Sequence, residues 1–253
     1  MLVDEYDAFL VDLDGVVYVG EEPVRGAVEA LERLRDRGVT FRFVTNNSSQ
    51  TRAEIQSKLA DMGIDVDRNT IVSAAWATLQ YLHDRGLDTV YVLGTDSLQA
   101  ELEDGGITTA AEGAQAVVVG HDSTTDYRDL TRATRLVRDH DIPIIAVNSD
   151  AIVPKPDGLI PGVGAIVSAI ETATGRVATV IGKPETRLFE YALQSLDANA
   201  AAMIGDNQMV DVVGADRAGI DSILVTAHAT RPADGPEPTV TIPDLRGLFA
   251  TDG

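Results

Sequence analysis

Two aspartates, separated by one residue, directly follow the first apolar segment of the chain. Residues 8–11 read Ala-Phe-Leu-Val, which is typical of a strand buried on both faces of a parallel sheet, and Asp12 and Asp14 come next. Ligands of open α/β sheets bind at the carboxyl ends of such strands. Two neighbouring carboxylates repel each other unless a cation or a shared proton offsets their charge. The pair therefore predicts a divalent metal site or a carboxyl group with a raised pKa, with a solvated Asp-Gly turn as the alternative.

Polar side chains also follow three later apolar segments of the sequence. They are Thr45 and Asn46 after residues 40–44, Lys183 after residues 177–181, and Asp206 and Asp211 after residues 200–204. Because the carboxyl ends of parallel strands face the same edge of a sheet, we expect these side chains to converge there with the two aspartates. A hydroxyl, an ammonium group and several carboxylates are the groups that phosphoryl transfer on Mg²⁺ requires. Taken singly, each residue could instead be a helix cap, a turn residue or a solvated acid.

The order of the elements predicts an α/β fold in two parts. Apolar strand segments alternate with helical segments along the chain, which implies a parallel sheet with right-handed crossovers. The sequence contains more strand segments than one small sheet needs. We therefore expect a Rossmann-like parallel-sheet core formed by residues 1–78 and 179–253, with a second α/β domain, a cap, inserted at residues 79–178. Residues 148–164 are expected to form a loop, and the proline-rich tail from Arg231 to be mostly irregular.

The composition excludes two kinds of partner. The 253 residues carry 40 acidic against 20 basic side chains, a net charge of −20. Such a charge argues against nucleic acid and against anionic membrane surfaces, because both bind basic faces. Aspartate outnumbers glutamate and arginine far outnumbers lysine, a bias that resembles proteins of salt-loving archaea, in which concentrated salt screens the repulsion. An ordinary acidic protein is the alternative.

The sequence also predicts a cytoplasmic location. The chain has no cysteine, so neither a disulfide framework nor a thiolate metal site is expected. Its acidic start, residues 1–5, lacks the basic region of a signal peptide, and no apolar run approaches the length of a membrane span.

Four motifs in a fixed order resemble a known superfamily. They are DLDGVVY at residues 12–18, TNNSS at 45–49, GKPE at 182–185 and GDNQMVD at 205–211. In this order they are similar to the motifs of the haloacid dehalogenase superfamily, and more narrowly to its NagD-like and nitrophenylphosphatase-like branch. That branch carries a large α/β cap between the second and third motifs. The resemblance extends over nearly the whole chain, through cap segments at residues 119–122, 148–150 and 161–165.

The resemblance implies a phosphatase and a role for each catalytic residue. Asp12 would be the nucleophile that takes the phosphoryl group, and Asp14 the general acid that then acts as the base. Lys183 would offset the charge of the nucleophile and the phosphate, and Thr45 would hold phosphoryl oxygens. Dehalogenases of the superfamily lack the acid that Asp14 supplies.

The resemblance also implies a Mg²⁺ site. The metal would be bound by the carboxylates of Asp12 and Asp206 and by the backbone carbonyl of Asp14, while Asp211 and Asn207 would orient the groups around it. Residues 207–210 depart from the branch, which more often has an arginine and a threonine there.

The substrate-binding residues implied by the resemblance follow the second motif and lie in the cap. They are Asn46, Asn47, Asn148 and Asp150, with His121 and Asp122 as further cap candidates. The partner would be a small phosphorylated metabolite, such as a sugar phosphate, glycerol phosphate, phosphoglycolate or a nucleotide, and the sequence does not choose among them. A homodimer formed through the cap would fit the family.

Three other interpretations remain open at this point. A phosphomutase typically has a smaller helical cap between the first and second motifs, where this chain has room for one helix. A receiver-like phosphoacceptor also uses clustered aspartates, threonine, lysine and Mg²⁺, but in about half this length. A non-catalytic phosphate-binding protein on the same fold would not need every catalytic position to be filled.

Overall fold

The computed structural model describes residues 1–155, 158–194, 196, 198–229 and 235–250. The strands are β1 (Ala8–Val11), β2 (Tyr18–Val19), β3 (Glu22–Pro23), β4 (Thr40–Thr45), β5 (Ile71–Ser73), β6 (Thr89–Leu93), β7 (Thr108–Thr109), β8 (Ala116–Val119), β9 (Ile144–Ala146), β10 (Ile152–Lys155), β11 (Gly158–Pro161), β12 (Thr179–Val180), β13 (Ala201–Gly205), β14 (Asp221–Val225) and β15 (Val240–Ile242). The helices are α1 (Ala27–Asp36), α2 (Arg52–Asp61), α3 (Ala74–Arg85), α4 (Asp96–Asp104), α5 (Tyr127–His140), α6 (Val163–Thr174), α7 (Thr186–Gln194) and α8 (Val213–Ala218). Short 3₁₀ turns lie at Leu2–Asp4, Arg68–Thr70 and Leu245–Phe249, and a π-helical turn at Gln208–Val212 leads into α8.

The chain divides into two compact units. The first comprises residues 1–45, 53–72 and 183–253, and the second comprises residues 46–52 and 73–182. We expected a boundary after residue 78, which lies inside α3, and another after residue 178. The short segment 46–52 follows the last strand residue of one unit but packs with the other.

The first unit is built on a sheet in which β1 lies near the centre. The strand order is β15-β14-β13-β1-β4-β5, and β1 runs parallel to both β13 and β4. All four residues of β1 are buried, as its uninterrupted apolar sequence predicts for a strand covered on both faces. The adjacent helix α1 begins after Gly26 and packs its buried residues Ala27, Leu31 and Leu34 into the same core. This arrangement places the ends of β1, β4 and β13 at one edge of the sheet.

The second unit has a sheet of its own and a separate hairpin. Its strand order is β12-β9-β8-β6-β7, with parallel pairing along the sheet. Strand β8 is fully buried, while α5 covers the sheet with an apolar face and begins at a capping box formed by Asp126 and Asp129. The hairpin pairs β10 with β11 in antiparallel register.

The α/β fold class predicted from the sequence, a parallel-sheet core with a second α/β unit, is confirmed. Two local predictions were wrong. The expected loop at 148–164 contains β10 and β11, because the β-branched residues Ile152, Val153 and Ile160 favour strands and Val153 lies opposite Ile160 in the hairpin. The expected irregular tail contains β15, which pairs with β14 at the sheet edge; residues 231–234 and 251–253 of that tail lie outside the described residues.

Truncation of the central strand tests the core. We expect Phe9→Ala to lower the free energy of unfolding by about 3–5 kcal/mol, because the Phe9 ring is fully buried and lies edge-on to Tyr6 with ring centroids 5.6 Å apart. Urea unfolding followed by circular dichroism measures the change. Tyr127→Ala, at a side chain that is 85% exposed, is the control and should cost less than about 0.5 kcal/mol. Equal losses in the two variants would contradict the assignment of β1 to the core.

Candidate active site

Asp12 is held rigidly at the end of β1. Its backbone N–H donates to the carbonyl of Ile204 on β13 at 2.8 Å, which extends the sheet pairing by one residue. The residue is 8% exposed, and Oδ1 accepts from the backbone N–H of Leu13 at 2.8 Å. The Lys183 ammonium lies 2.9 Å from the same oxygen. Two donors on Oδ1 fix the orientation of the carboxylate and so fix where Oδ2 lies.

Lys183 contacts three segments of the first unit. The expectation that it follows a strand of the same sheet was wrong, because the preceding strand, β12, pairs with β9 in the sheet of the second unit. The Lys183 side chain is 1% exposed, and Nζ lies 2.9 Å from Asp12 Oδ1, 2.8 Å from Asp211 Oδ1 and 3.1 Å from the backbone carbonyl of Val44. Although burial alone lowers the pKa of Lys183, the adjoining carboxylates of Asp12 and Asp211 raise it above its ordinary value. The ammonium therefore stays charged and neutralises part of the negative charge that the aspartates concentrate here.

The loop after β13 brings Asp206 and Asp211 together. Asp211 is 1% exposed, its Oδ2 accepts from the backbone N–H of Asn207 at 3.0 Å, and its own N–H donates to the carbonyl of Asn207 at 2.7 Å. Asn207 in turn caps the following turn, because its Oδ1 accepts from the N–H of Met209 at 3.0 Å. Asn207 thus holds Asp211 through both its backbone N–H and its carbonyl.

Two glycines let the aspartates approach the backbone. A Cβ atom at Gly205 would lie 2.2 Å from Asp211 Cγ, and one at Gly15 would lie 2.1 Å from Asp206 Oδ2. Gly15 also has a φ of +80°, in the left-handed region that glycine adopts without steric cost. The glycine of each Asp-Gly or Gly-Asp pair is therefore part of the site and not only turn punctuation.

The carboxylates fit a divalent cation. Oxygen atoms of Asp12, Asp206 and Asp211 all lie within 4.8 Å of one another. Burial and the neighbouring Asp211 raise the pKa of Asp206 to about 6, and burial raises the pKa of Asp12 well above its ordinary range despite the opposing effect of Lys183. A hard cation stabilises the charged forms of such carboxylates, and three of them side by side are a suitable donor set for it. The carboxylate of Asp211, which we expected only to orient other groups, belongs to this cluster.

Asp14 lies beside a tyrosine and a lysine. Desolvation by the surrounding protein raises the pKa of Asp14, although its surface is exposed, and Lys58 and Lys183 act in the opposite direction. A backbone bridge joins Asp14 to Tyr18, whose hydroxyl is buried without a hydrogen-bond partner among the described residues. A carboxyl group that is protonated more readily than usual suits proton donation.

Three residues near the site were not singled out from the sequence. Lys58 on α2 places Nζ 4.1 Å from the centroid of the Tyr18 ring and 3.3 Å from Glu21 Oε1. Gln208 is buried, and its Nε2 donates to the carbonyl of Pro236 at 2.7 Å. One of the residues at 207–210 that differ from the branch therefore connects this loop to the C-terminal tail. Tyr18 stands inside the first motif, which could have drawn attention to it; the contacts of Lys58 and Gln208 depend on tertiary structure.

The remaining predicted residues fall in two places. Thr45 is buried at the end of β4 in the first unit. In the second unit, Asn148 Nδ2 donates to the carbonyl of Asn46 at 3.1 Å, and Asn148 Oδ1 accepts from the N–H of Asp150 at 3.1 Å. Asn47 makes hydrogen bonds within its own turn, with Gln50 Oε1 at 3.0 Å and the N–H of Ser49 at 2.8 Å.

The other two cap candidates follow β8. Asp122 Oδ1 accepts from the N–H and the hydroxyl of Thr124, both at 2.8 Å, as an ordinary turn residue does. His121 precedes it and is half-buried.

Comparison with known proteins identifies the family. Residues 9–108 match the haloacid dehalogenase-like hydrolases, and residues 180–248 match a second family of the same kind. The chain is 34% identical over 229 residues to the 5′-nucleotidase YutF of Bacillus subtilis, covering 89% of each protein. It is 35% identical over 248 residues to an acid sugar phosphatase of Staphylococcus haemolyticus, covering 95% of this chain and 94% of that protein.

A solved structure with a bound metal is similar over nearly the whole chain. The glycerol phosphate phosphatase of Mycobacterium tuberculosis, in complex with magnesium, superposes with a TM-score of 0.88 at 32% identity, covering 98% of this chain and 77% of that one. The named relatives are a nucleotidase and two phosphatases, all of which are hydrolases of phosphate esters. The chain belongs to the haloacid dehalogenase-like hydrolases, and the predicted family and enzyme class are confirmed.

Removal of the buried ammonium tests the electrostatics of the site. We expect Lys183→Met to lower the free energy of unfolding by about 3–5 kcal/mol at pH 8 with chelator present, because Asp12 and Asp211 lose the charge that offsets them. Urea unfolding of the variant against the wild type measures this loss.

A second substitution separates charge from packing. Adding Asp211→Asn to Lys183→Met makes one of the two uncompensated acids neutral, so part of the lost stability should return. If the double variant were no more stable than Lys183→Met alone, loss of packing rather than of charge would be the cause.

Proposed function

We propose that this chain is a Mg²⁺-dependent phosphatase that hydrolyses a small phosphomonoester through an aspartyl-phosphate on Asp12. The observation that carries the proposal is the buried Asp12, whose Oδ1 is held by Lys183 at 2.9 Å and by the N–H of Leu13 at 2.8 Å. A carboxylate fixed in this way presents Oδ2 in one orientation, which favours attack along one line.

In the first step, Oδ2 of Asp12 attacks the phosphorus of the ester. The Oδ2–P bond forms as the bond between phosphorus and the ester oxygen breaks, and the leaving alkoxide takes a proton from the Asp14 carboxyl group. The raised pKa of Asp14 supports this use, because the group must carry a proton at the outset. Lys183 offsets the charge that Asp12 and the phosphoryl group share.

In the second step, water cleaves the acyl phosphate. Asp14, now ionised, takes a proton from water as the water oxygen attacks phosphorus, and the Oδ2–P bond breaks. The products are inorganic phosphate and the free Asp12 carboxylate, with Asp14 protonated again. The Thr45 hydroxyl is proposed to hold the phosphoryl oxygens through both steps.

Mg²⁺ fits the carboxylates of the first unit. Asp12, Asp206 and Asp211 offer oxygens within 4.8 Å of one another, and the backbone carbonyl of Asp14 is the further ligand that we propose. When bound, Mg²⁺ would neutralise charge on the phosphoryl oxygens and let a dianionic ester approach the acids.

The second unit is proposed to act as the cap and to supply specificity. Asn46, Asn148 and Asp150 share hydrogen bonds of 3.1 Å within that unit, which supports their assignment with Asn47 as substrate-binding residues. The named relatives act on nucleotides, sugar phosphates and glycerol phosphate, so a small phosphorylated metabolite is the class of substrate that we propose.

The wider setting of the enzyme also belongs to the proposal. The net charge of −20 supports a protein adapted to high salt, as in a salt-loving archaeon, and argues against nucleic acid as a partner. Among the described residues, no helix combines the length and the apolar composition that crossing a membrane needs. The cytoplasmic location and the homodimer through the cap stay predictions.

Phosphate release from a panel of esters tests the reaction. We expect the wild type to hydrolyse at least one ester of the panel, both in concentrated salt and in dilute buffer. The panel comprises 4-nitrophenyl phosphate, glycerol phosphate, phosphoglycolate, a sugar phosphate and a nucleoside monophosphate. Asp12→Asn should lower kcat on the order of a thousandfold or more, because it removes the nucleophile. Asp36→Asn, at an exposed acid near the end of α1, is the matched control and should keep full activity.

The same assay separates the alternatives. A phosphomutase would need a bisphosphate activator and would return the phosphate to an ester instead of releasing it. A receiver-like protein would keep its phosphoaspartate for minutes or longer. A folded wild type that hydrolyses no ester in either salt would contradict the phosphatase.

Metal binding has a readout that does not depend on activity. We expect calorimetry to detect Mg²⁺ binding to the wild type and to lose the signal in Asp206→Asn, because one carboxylate of the cluster becomes neutral. Asp216→Asn, at an exposed acid of α8, is the control and should bind as the wild type does. Equal binding by Asp206→Asn and the wild type would place the cation elsewhere.

A further inference from the structure

Glu101 is a buried acid that the reaction does not use. It lies on α4 of the second unit, and its side chain is 7% exposed. The other buried acids of the described chain, Asp12, Asp211 and Asp244, all lie in the first unit. Because a buried carboxylate loses its hydration, it persists only where donors replace the lost water.

Both oxygens of Glu101 bind the same residue. Oε1 lies 2.6 Å from Nε of Arg52, and Oε2 accepts from the backbone N–H of Arg52 at 3.0 Å. The Arg52 side chain is 13% exposed, and its guanidinium carbon lies 5.2 Å from the centroid of the Trp76 ring. One acid therefore fixes the main chain and the side chain of Arg52 together, which an ordinary surface ion pair does not do.

Arg52 is the last residue of the segment 46–52, which belongs to the second unit. At the other end of that segment, the carbonyl of Asn46 accepts from Asn148 Nδ2 at 3.1 Å. Ser48, between the two ends, is buried. Residues of the second unit thus hold the segment at both ends: Asn148 binds its first residue, Asn46, and Glu101 binds its last residue, Arg52.

The segment carries two of the proposed substrate-binding residues, Asn46 and Asn47. The side chain of Asn47 makes hydrogen bonds within the turn that leads to Arg52. Its Nδ2 donates to Gln50 Oε1, and its Oδ1 accepts from the N–H of Ser49. A shift of Arg52 would therefore be passed through this turn to Asn47. The turn is short, so that displacement would not be absorbed by intervening secondary structure.

We propose that Glu101 is a positioning residue, which holds Arg52 so that the segment 46–52 presents Asn46 and Asn47 to the substrate. This inference rests on the proposed function, because it requires that those asparagines contact a phosphorylated substrate. Glu101 itself touches no reacting atom; it acts through the turn.

The test compares three proteins, the wild type, Glu101→Gln and Glu103→Gln. Glu101→Gln keeps the shape of the side chain but removes the charge that Arg52 pairs with. Glu103→Gln is the matched control on the same helix, where the acid is exposed and accepts from the Thr109 hydroxyl instead. Each protein is measured by steady-state kinetics on the best ester of the panel, by amide hydrogen exchange, and by thermal unfolding.

We expect Glu101→Gln to raise KM about tenfold with kcat changed less than about threefold, because substrate binding is lost more than chemistry. Amides of residues 46–52 should exchange about tenfold faster, while the strands of the second unit keep their protection. Glu103→Gln should match the wild type in both measurements. Arg52→Lys, which keeps the charge and the backbone N–H, should fall between the wild type and Glu101→Gln in KM.

Two results would overturn the inference. Unchanged exchange at 46–52 in Glu101→Gln would show that Glu101 does not hold the segment. Faster exchange with an unchanged KM, or a lower unfolding temperature with no change specific to this segment, would leave Glu101 a purely structural residue.

The exchange measurement separates this inference from the proposed function. A wild type without activity on any ester would refute the phosphatase, and with it the substrate-positioning role, whatever the exchange shows. If the wild type is active and Glu101→Gln matches it in KM and in the exchange of residues 46–52, only the positioning role is refuted.

Discussion

The candidate site depends on one buried ammonium group. Lys183 Nζ lies between the carboxylates of Asp12 and Asp211 and also donates to the carbonyl of Val44, so one cation ties together the ends of three chain segments. Without it, two buried acids would face each other in a medium that screens charge poorly. The rest of the site follows from this constraint: the glycines at 15 and 205 make room for the acids, and the acids in turn suit a divalent cation.

The same constraint explains why the site is assembled from distant parts of the sequence. Asp12 directly follows β1, and Asp206 and Asp211 come after β13, so the parallel pairing of β1 with β13 brings these acids to one edge. Lys183 instead follows β12, a strand of the second unit's sheet, and is the first residue of the chain's return to the first unit. Local structure then sets the orientation of Asp211. The residue lies in the turn at Gln208–Val212, where the N–H of Asn207 donates to Oδ2, and its Oδ1 lies 2.8 Å from Lys183. Rigid strands supply the placement, and short loops supply the final orientation.

Much of the site could be predicted from the sequence, and the reason is physical. Buried parallel strands are continuous apolar runs, so their ends are visible, and polar residues at the ends of one sheet's strands lie close together. Lys183 reaches the site although the strand before it belongs to the other sheet, which the sequence did not show. The hairpin of β10 and β11 and the edge strand β15 escaped prediction because they are short and lie among prolines and glycines. Glu101 escaped for a different reason: nothing local marks one acid among 40 as buried, and only its tertiary contact with Arg52 does so.

The pairing of β1 with β13 has a consequence for synthesis of the chain. Ala8 pairs with Ala201, so the first strand leaves the ribosome long before its partner exists. At the usual rate of about 5–20 residues per second, the wait is roughly 10–40 s. During that time one edge of an apolar strand stands open to other nascent chains. The acidic surface, by repelling neighbouring copies, would protect the unfinished protein as well as the finished one.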